Sequence, residues 1–257
     1  MNKTPPPPPP LSPPPLSPIS PLLSPPPLST ISPISPPLSQ PPPLPSSPPP
    51  PPSPPTPPPL VWRVAPHDSR DDTPSGWIPA VVPGAVQLDW ARAQGWPEYW
   101  KHENVRAYDG LEDRFWTYET RFETPALANG ARLFFTCGGI DYAFDISFNG
   151  ETVHEQEGMF TPVDLELTDR VRAGAGNVLR VRVHPAPKSA PAPAGRAQAN
   201  RSCKPAMSYG WDFHPRLIPL GIWQEARLEI RPNCFLRAAV VDCELSADFS
   251  KAGVTAS

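Results

Sequence analysis

Proline sets the first limit on what this chain can fold into. Thirty-one of its 46 prolines fall before residue 61, in a stretch with no aromatic residue, no acidic residue, no glycine and a single charge at Lys3. Proline lacks a backbone N–H and locks φ, so neither a helix interior nor a central strand can be built from it. Residues 1–60 are therefore expected to form a disordered or polyproline II arm that stays out of any core. At about 3.1 Å per residue, a stiff arm of this length would reach on the order of 150 Å.

Whatever folds must begin near Val61. All eight tryptophans lie beyond that point, in roughly one domain's worth of chain. Formal net charge is −3 and the charges are mixed along the chain. That argues against a nucleic-acid partner, which calls for a basic patch. No apolar run approaches the roughly 18–20 residues of a membrane span, so no membrane is expected. Met1-Asn2-Lys3-Thr4 runs into six prolines with no apolar h-region, so either the default location is the cytoplasm or the true start differs. Cys137, Cys203, Cys234 and Cys243 have no C-x-x-C spacing. They are expected as free thiols, with no metal or other cofactor.

The folded part reads with a period of two. In FWTYETRFE, Trp116, Tyr118, Thr120 and Phe122 share one strand face. DYAFDISF sets Tyr142, Phe144, Ile146 and Phe148 against Asp145 and Ser147, and Asn149-Gly150 follows as a hairpin turn. NVLRVRV alternates Leu179, Val181 and Val183 with arginines, and QEARLEIRP alternates Ala226, Leu228 and Ile230. Acidic residues on the polar faces are expected to be solvated charges. Helix signals are short: Ala85–Gln94 ending at Gly95, and a single turn at Thr168–Arg170. The pattern predicts an all-β sandwich. Pro185–Pro205 is a long Pro/Ala-rich loop, either functional or merely loose.

One stretch, Ser208 to Glu229, combines Tyr209, Trp211, Phe213 and Trp223 with Asp212. Aromatic faces beside a carboxylate suit a sugar, whose ring has apolar CH faces and polar hydroxyl edges. The alternative is an aromatic loop that closes the sandwich.

The ordered set WIPAVVPGAVQLDW, EYWKHENV, RFWTYETRFE, LFFTCGGIDYAFDISFNG, GMFTPVDLEL, NVLRVRV and YGWDFHPRLIPLGIWQEARLE resembles the N-terminal sugar-binding domain of glycoside hydrolase family 2, in its β-mannosidase-like branch. The set spans Val61 to Pro232. The resemblance implies a galactose-binding-like jelly-roll sandwich over residues 61–232, with residues 233–257 opening an immunoglobulin-like sandwich. It further implies a parent retaining glycosidase whose two catalytic carboxylates lie on a (β/α)₈ barrel. No catalytic residue is therefore assigned in this chain, which alone should be inactive.

For the substrate-binding site, the resemblance implies Asp212 with Trp211 beside it, reaching a sugar in the barrel's active site. It also implies Asn104 at the rim, where the alternative is a turn-forming role. Arg216 is expected to brace the loop, and His214 to be a structural hydrogen-bonder. Phe213 stands where the family often has a second Trp, His214 where it often has Gly, and Gln224 where Arg is usual. The expected partners are a β-linked glycoside and the barrel domain. Two other readings stay open: a stand-alone carbohydrate-binding module on a proline-rich stalk, and an interaction protein acting through PPPLPSSPPPPP-like runs.

Overall fold

The computed structural model describes residues 56–257 apart from 125, 126, 128, 129 and 173. All but the last five residues of the expected proline-rich arm lie outside the described residues. The chain enters the fold through β1 (Trp62–His67) and β2 (Ile78–Ala80), followed by the one α-helix among the described residues, α1 (Val86–Gln94). Then come β3 (Phe115–Glu123), β4 (Arg132–Cys137), β5 (Ile140–Asp141), β6 (Ala143–Phe148), β7 (Glu151–Glu157), β8 (Val163–Glu166) and β9 (Gly176–Val183). After the long loop follow β10 (Gly221–Ile222), β11 (Ala226–Arg231), β12 (Val241–Leu245) and β13 (Ala252–Ala256).

Every pairing is antiparallel. A six-stranded sheet runs β2-β1-β3-β9-β6-β7, a three-stranded sheet β11-β4-β8, and β5 pairs with β10. The apolar faces predicted from the alternation meet in one core. Trp116 and Tyr118 of β3, Leu179 and Val181 of β9, and Ile146 of β6 pack with Leu133 and Phe135 of β4. Trp62 and Phe135 touch edge to face across the two layers, with ring centroids 6.2 to 6.4 Å apart counting the Trp62–Tyr118 pair. Each large side chain sealed this way stabilises the fold by roughly 1.5–3 kcal/mol. The expected β-sandwich is what forms. β12 and β13 make a separate, exposed hairpin, joined to the sandwich where Phe235 packs on Phe134.

The turns follow the sequence chemistry. Asn149 and Gly150 both take positive φ, 53° and 95°, between β6 and β7, as a two-residue hairpin needs. Helix α1 stops at Gly95, whose φ of 65° lets its N–H reach back to Ala91 and Arg92. The start of α1 has no side-chain cap. Instead Val86 N–H donates to Leu220, and the Gln87 amide both donates to Ile218 and accepts from Leu220. The helix is thereby stitched to the segment that leads into β10.

The polar strand faces depart from expectation. Glu119 and Asp145 are not solvated charges; they are 1% and 3% exposed. Long arginines from neighbouring strands lie over them. Arg63, Arg121 and Arg180 converge on Glu119, and Arg182 and His184 on Asp145. Alternation assigns a face but does not show that guanidiniums cover it.

Candidate functional site

The loop between β9 and β10 carries Asp212 and Trp211 of the predicted site, while Asn104 lies before β3, and the base of the loop is tied down by buried polar side chains. Lys204 is sealed in the interior, bonding both oxygens of Asp141 at 2.5 Å and the Pro219 carbonyl at 2.7 Å. Tyr209 is fully buried, donates to the Pro187 carbonyl at 2.6 Å, and has its hydroxyl pushed up to about 12 by burial. Arg216 donates to Glu112, Gln198 and the Tyr209 carbonyl, so it braces the loop as expected. The Pro/Ala-rich segment is not loose. Gln198, 3% exposed, donates to the carbonyls of Ala190 and Pro191 and accepts from Gly195 N–H.

On this base stands a short exposed tip. Trp211 N–H donates to the His214 carbonyl at 3.0 Å, closing a turn around Asp212 and Phe213. Trp211 and Phe213 are 42% and 69% exposed, with ring centroids 5.7 Å apart. Asp212 is exposed and has no hydrogen bond or ion pair among the described residues. The His214 ring turns to its neighbour's carbonyl, Pro215, at 2.7 Å, a structural contact.

The four aromatics of this stretch do not form one platform. Tyr209 belongs to the core. Trp223 donates its indole N–H to the Met159 carbonyl and packs on Phe160. Only Trp211 and Phe213 flank Asp212. Gly139 explains the Trp223 placement: a Cβ there would lie 2.7 Å from the indole nitrogen.

Asn104 opens a 3₁₀ turn, Asn104–Tyr108, and donates its side-chain amide to the Glu98 carbonyl at 3.0 Å. It thus holds the turn bearing Tyr99 and the 64% exposed Trp100. A cavity of about 270 Å³ has Tyr99, Leu88, Met207, His214 and Leu217 in its wall. Neither Asn104 nor Asp212 lines it; their neighbours Tyr99 and His214 do. Asp212 and Trp211 instead line a depression of about 480 Å³ together with Arg196, whose guanidinium lies 4.2 Å from the Trp211 ring centre. Sequence reasoning singled out neither Arg196 nor the Lys204–Asp141 pair. A depression of about 760 Å³ along β11 is lined by prolines 57–59 and by charges paired with one another, with no aromatic side chain. Among the described residues no group of three or more His, Cys, Asp or Glu is placed to hold a metal, and no helix is long and apolar enough to cross a membrane.

The described residues form an antiparallel β-sandwich with an aromatic–carboxylate tip on the loop between β9 and β10. A family model described as glycosyl hydrolase 2 galactose-binding domain-like matches residues 62–224, and the chain belongs to that family. Beta-mannosidase B of Aspergillus clavatus is 26% identical over 202 residues, covering 74% of this chain and 24% of that protein. Two solved structures share the fold. A β-D-mannosidase from Dictyoglomus thermophilum has a TM-score of 0.57 at 23% identity, covering 73% of this chain and 23% of the other. An exo-chitosanase from Amycolatopsis orientalis has a TM-score of 0.59 at 18% identity, covering 77% and 23%. The chain thus spans 24% of the length of the curated relative, and no (β/α)₈ barrel occurs among the described residues.

Proposed function

We propose that this chain is the sugar-binding portion of a β-mannosidase-like retaining glycosidase. In it Asp212 accepts hydrogen bonds from sugar hydroxyls and Trp211 offers an apolar face. The observation that carries this is the state of Asp212: an exposed carboxylate without a protein partner among the described residues, between two exposed aromatics, at the tip of a loop whose base is held by Lys204, Tyr209, Gln198 and Arg216. A carboxylate without a protein partner beside the 69% exposed Phe213 ring, with one face of Trp211 covered by Arg196, makes sense when a ligand completes the tip.

Asn104 is taken in this reading as a second sugar contact, on the separate 3₁₀ turn Asn104–Tyr108 and outside the depression that Asp212 lines. Its amide N–H is committed to Glu98, and its carbonyl oxygen is without a protein donor among the described residues, open to a hydroxyl. The exposed Leu88, Trp100, Met207 and Phe213 fit a surface covered by a barrel domain that carries the catalytic carboxylate pair. Residues 233–257, with the exposed β12–β13 hairpin, fit the opening of a following sandwich. The mannosidase names among the relatives support a β-linked glycoside as the ligand class.

The test is hydrolysis of 4-nitrophenyl β-D-mannopyranoside by the purified 257-residue chain. No release of nitrophenolate is expected. Turnover that survives repurification would place a catalytic pair in this chain and overturn the assignment.

A further inference from the structure

Arg196, like Arg201 of the same loop and unlike Arg216, is exposed with its side-chain N–H groups uncommitted among the described residues, and Arg196 alone of the two lies over the Trp211 ring. Arg63, Arg121 and Arg180 all commit N–H groups to Glu119, and Arg216 commits its own to Glu112 and Gln198. Arg196 is exposed, and no carboxylate or carbonyl among the described residues takes any of its N–H groups. It opens the 3₁₀ turn Arg196–Ala199, which the buried Gln198 bolts to Ala190, Pro191 and Arg216. A fixed turn therefore presents the guanidinium over the Trp211 ring, 4.2 Å from its centre.

Stacking uses the face of a guanidinium and leaves the in-plane N–H donors at its edge free. Those donors border the same 480 Å³ depression as Asp212, and the two groups form no ion pair with each other. The depression is thus lined by a charged donor and a charged acceptor that do not pair with each other. Two adjacent hydroxyls match that pair: one donates to Asp212 and its neighbour accepts from Arg196. An acidic sugar would gain Arg196 but meet Asp212, and an amino sugar the reverse, so neither charge has a net advantage and a neutral ring meets no like charge.

We propose that Arg196 is a sugar-contacting residue that, with Asp212, selects a vicinal diol of a neutral glycoside. Arg196, Asp212 and Trp211 then form a subsite that holds the sugar weakly without any further domain. This rests on the proposed function in taking Asp212 as the sugar's acceptor.

The test follows the Trp211 indole N–H resonance in the ¹⁵N-labelled full chain, assigned with Trp211→Phe. Methyl β-D-mannopyranoside is titrated into wild type, Arg196→Met and Asp212→Asn, with sodium glucuronate as a charged comparison. Unchanged amide spectra at distant residues show that the variants fold. A saturable millimolar shift is expected in wild type, weakened about tenfold by each substitution, with glucuronate binding less well. Weakening by Asp212→Asn but not by Arg196→Met overturns the role of Arg196 and leaves Asp212 as the sugar acceptor. No saturable shift in wild type overturns the self-sufficient subsite, while the barrel-completed site stands. Binding unaffected by Asp212→Asn overturns both. Tighter binding of glucuronate overturns the neutral-diol preference.

Discussion

The ammonium of Lys204 bonds both carboxylate oxygens of Asp141 and the carbonyl of Pro219, with both side chains sealed from solvent. This pair ties β5 to the root of the Trp211 loop. Burial pushes the Asp141 carboxyl up and the Lys204 ammonium down, and each partner's charge opposes the shift of the other. Lys204→Met leaves a buried, unpaired carboxyl and is expected to cost about 3–5 kcal/mol in urea unfolding. The double variant Lys204→Met/Asp141→Leu should recover much of that loss, because no uncompensated charge remains. A neutral single variant would contradict the pair's role.

Acid stability should depend on Glu119. Burial alone would raise its carboxyl, but hydrogen bonds from Arg121, Arg180 and Arg63 outweigh burial and hold it down at about 2. An unfolded glutamate titrates near 4.3. The native state therefore binds fewer protons between these values. The stability Glu119 contributes is complete above about pH 4.3 and is lost as pH falls toward about 2. Asp145, lowered against its own burial by His184 and Arg182, acts in the same direction. Glu119→Gln should flatten the acid limb of a Tm-against-pH curve without abolishing it. An unchanged slope would count against the cluster.

Gly221 admits no side chain. Its φ is +138°, and a Cβ would lie 2.5 Å from the Tyr118 hydroxyl and 3.3 Å from the Gly84 carbonyl oxygen. Tyr118 is fully buried, with Trp62 packed edge-on against it, so it cannot swing away. Gly221→Ala is expected to destabilise by about 2–4 kcal/mol, combining backbone strain with overpacking. Thermal unfolding reads this directly, and a loss within error would contradict the close approach.

The four thiols should separate by reactivity. Cys137 lies in the core, and burial pushes its thiol up to about 11, while Cys203, Cys234 and Cys243 are exposed. A thiolate is the reacting species, so Cys137 should resist a disulfide reagent until the fold is lost. Native protein is expected to titrate three thiols, and protein in guanidinium chloride four.

Much of the sandwich was legible because burial on one face leaves a period of two in the residues themselves. β3, β6, β9 and β11 all show it, and Asn149-Gly150 and Gly95 mark their own turns. What alternation hides is the cover on the other face: Glu119 and Asp145 look like ordinary solvated acids until arginines from neighbouring strands lie over them. The Lys204–Asp141 pair was illegible for a related reason. Its partners are 63 residues apart, although an Asp between Ile140 and Tyr142 in an apolar run was a signal of burial. The Asp212 loop was legible in residue type but not in arrangement. Tyr209, Trp211, Phe213 and Trp223 are neighbours in sequence, yet the core takes Tyr209, and Met159 and Phe160 hold Trp223. Arg196 carries no signal at all in a Pro/Ala-rich loop; its meaning comes only from the ring it covers.

The central claim, that this domain serves a larger β-glycosidase, is tested most directly by reading the transcript past the codon for Ser257. An open frame that encodes a further sandwich and a barrel with paired glutamates is the predicted result. A stop codon directly after Ser257 would contradict it.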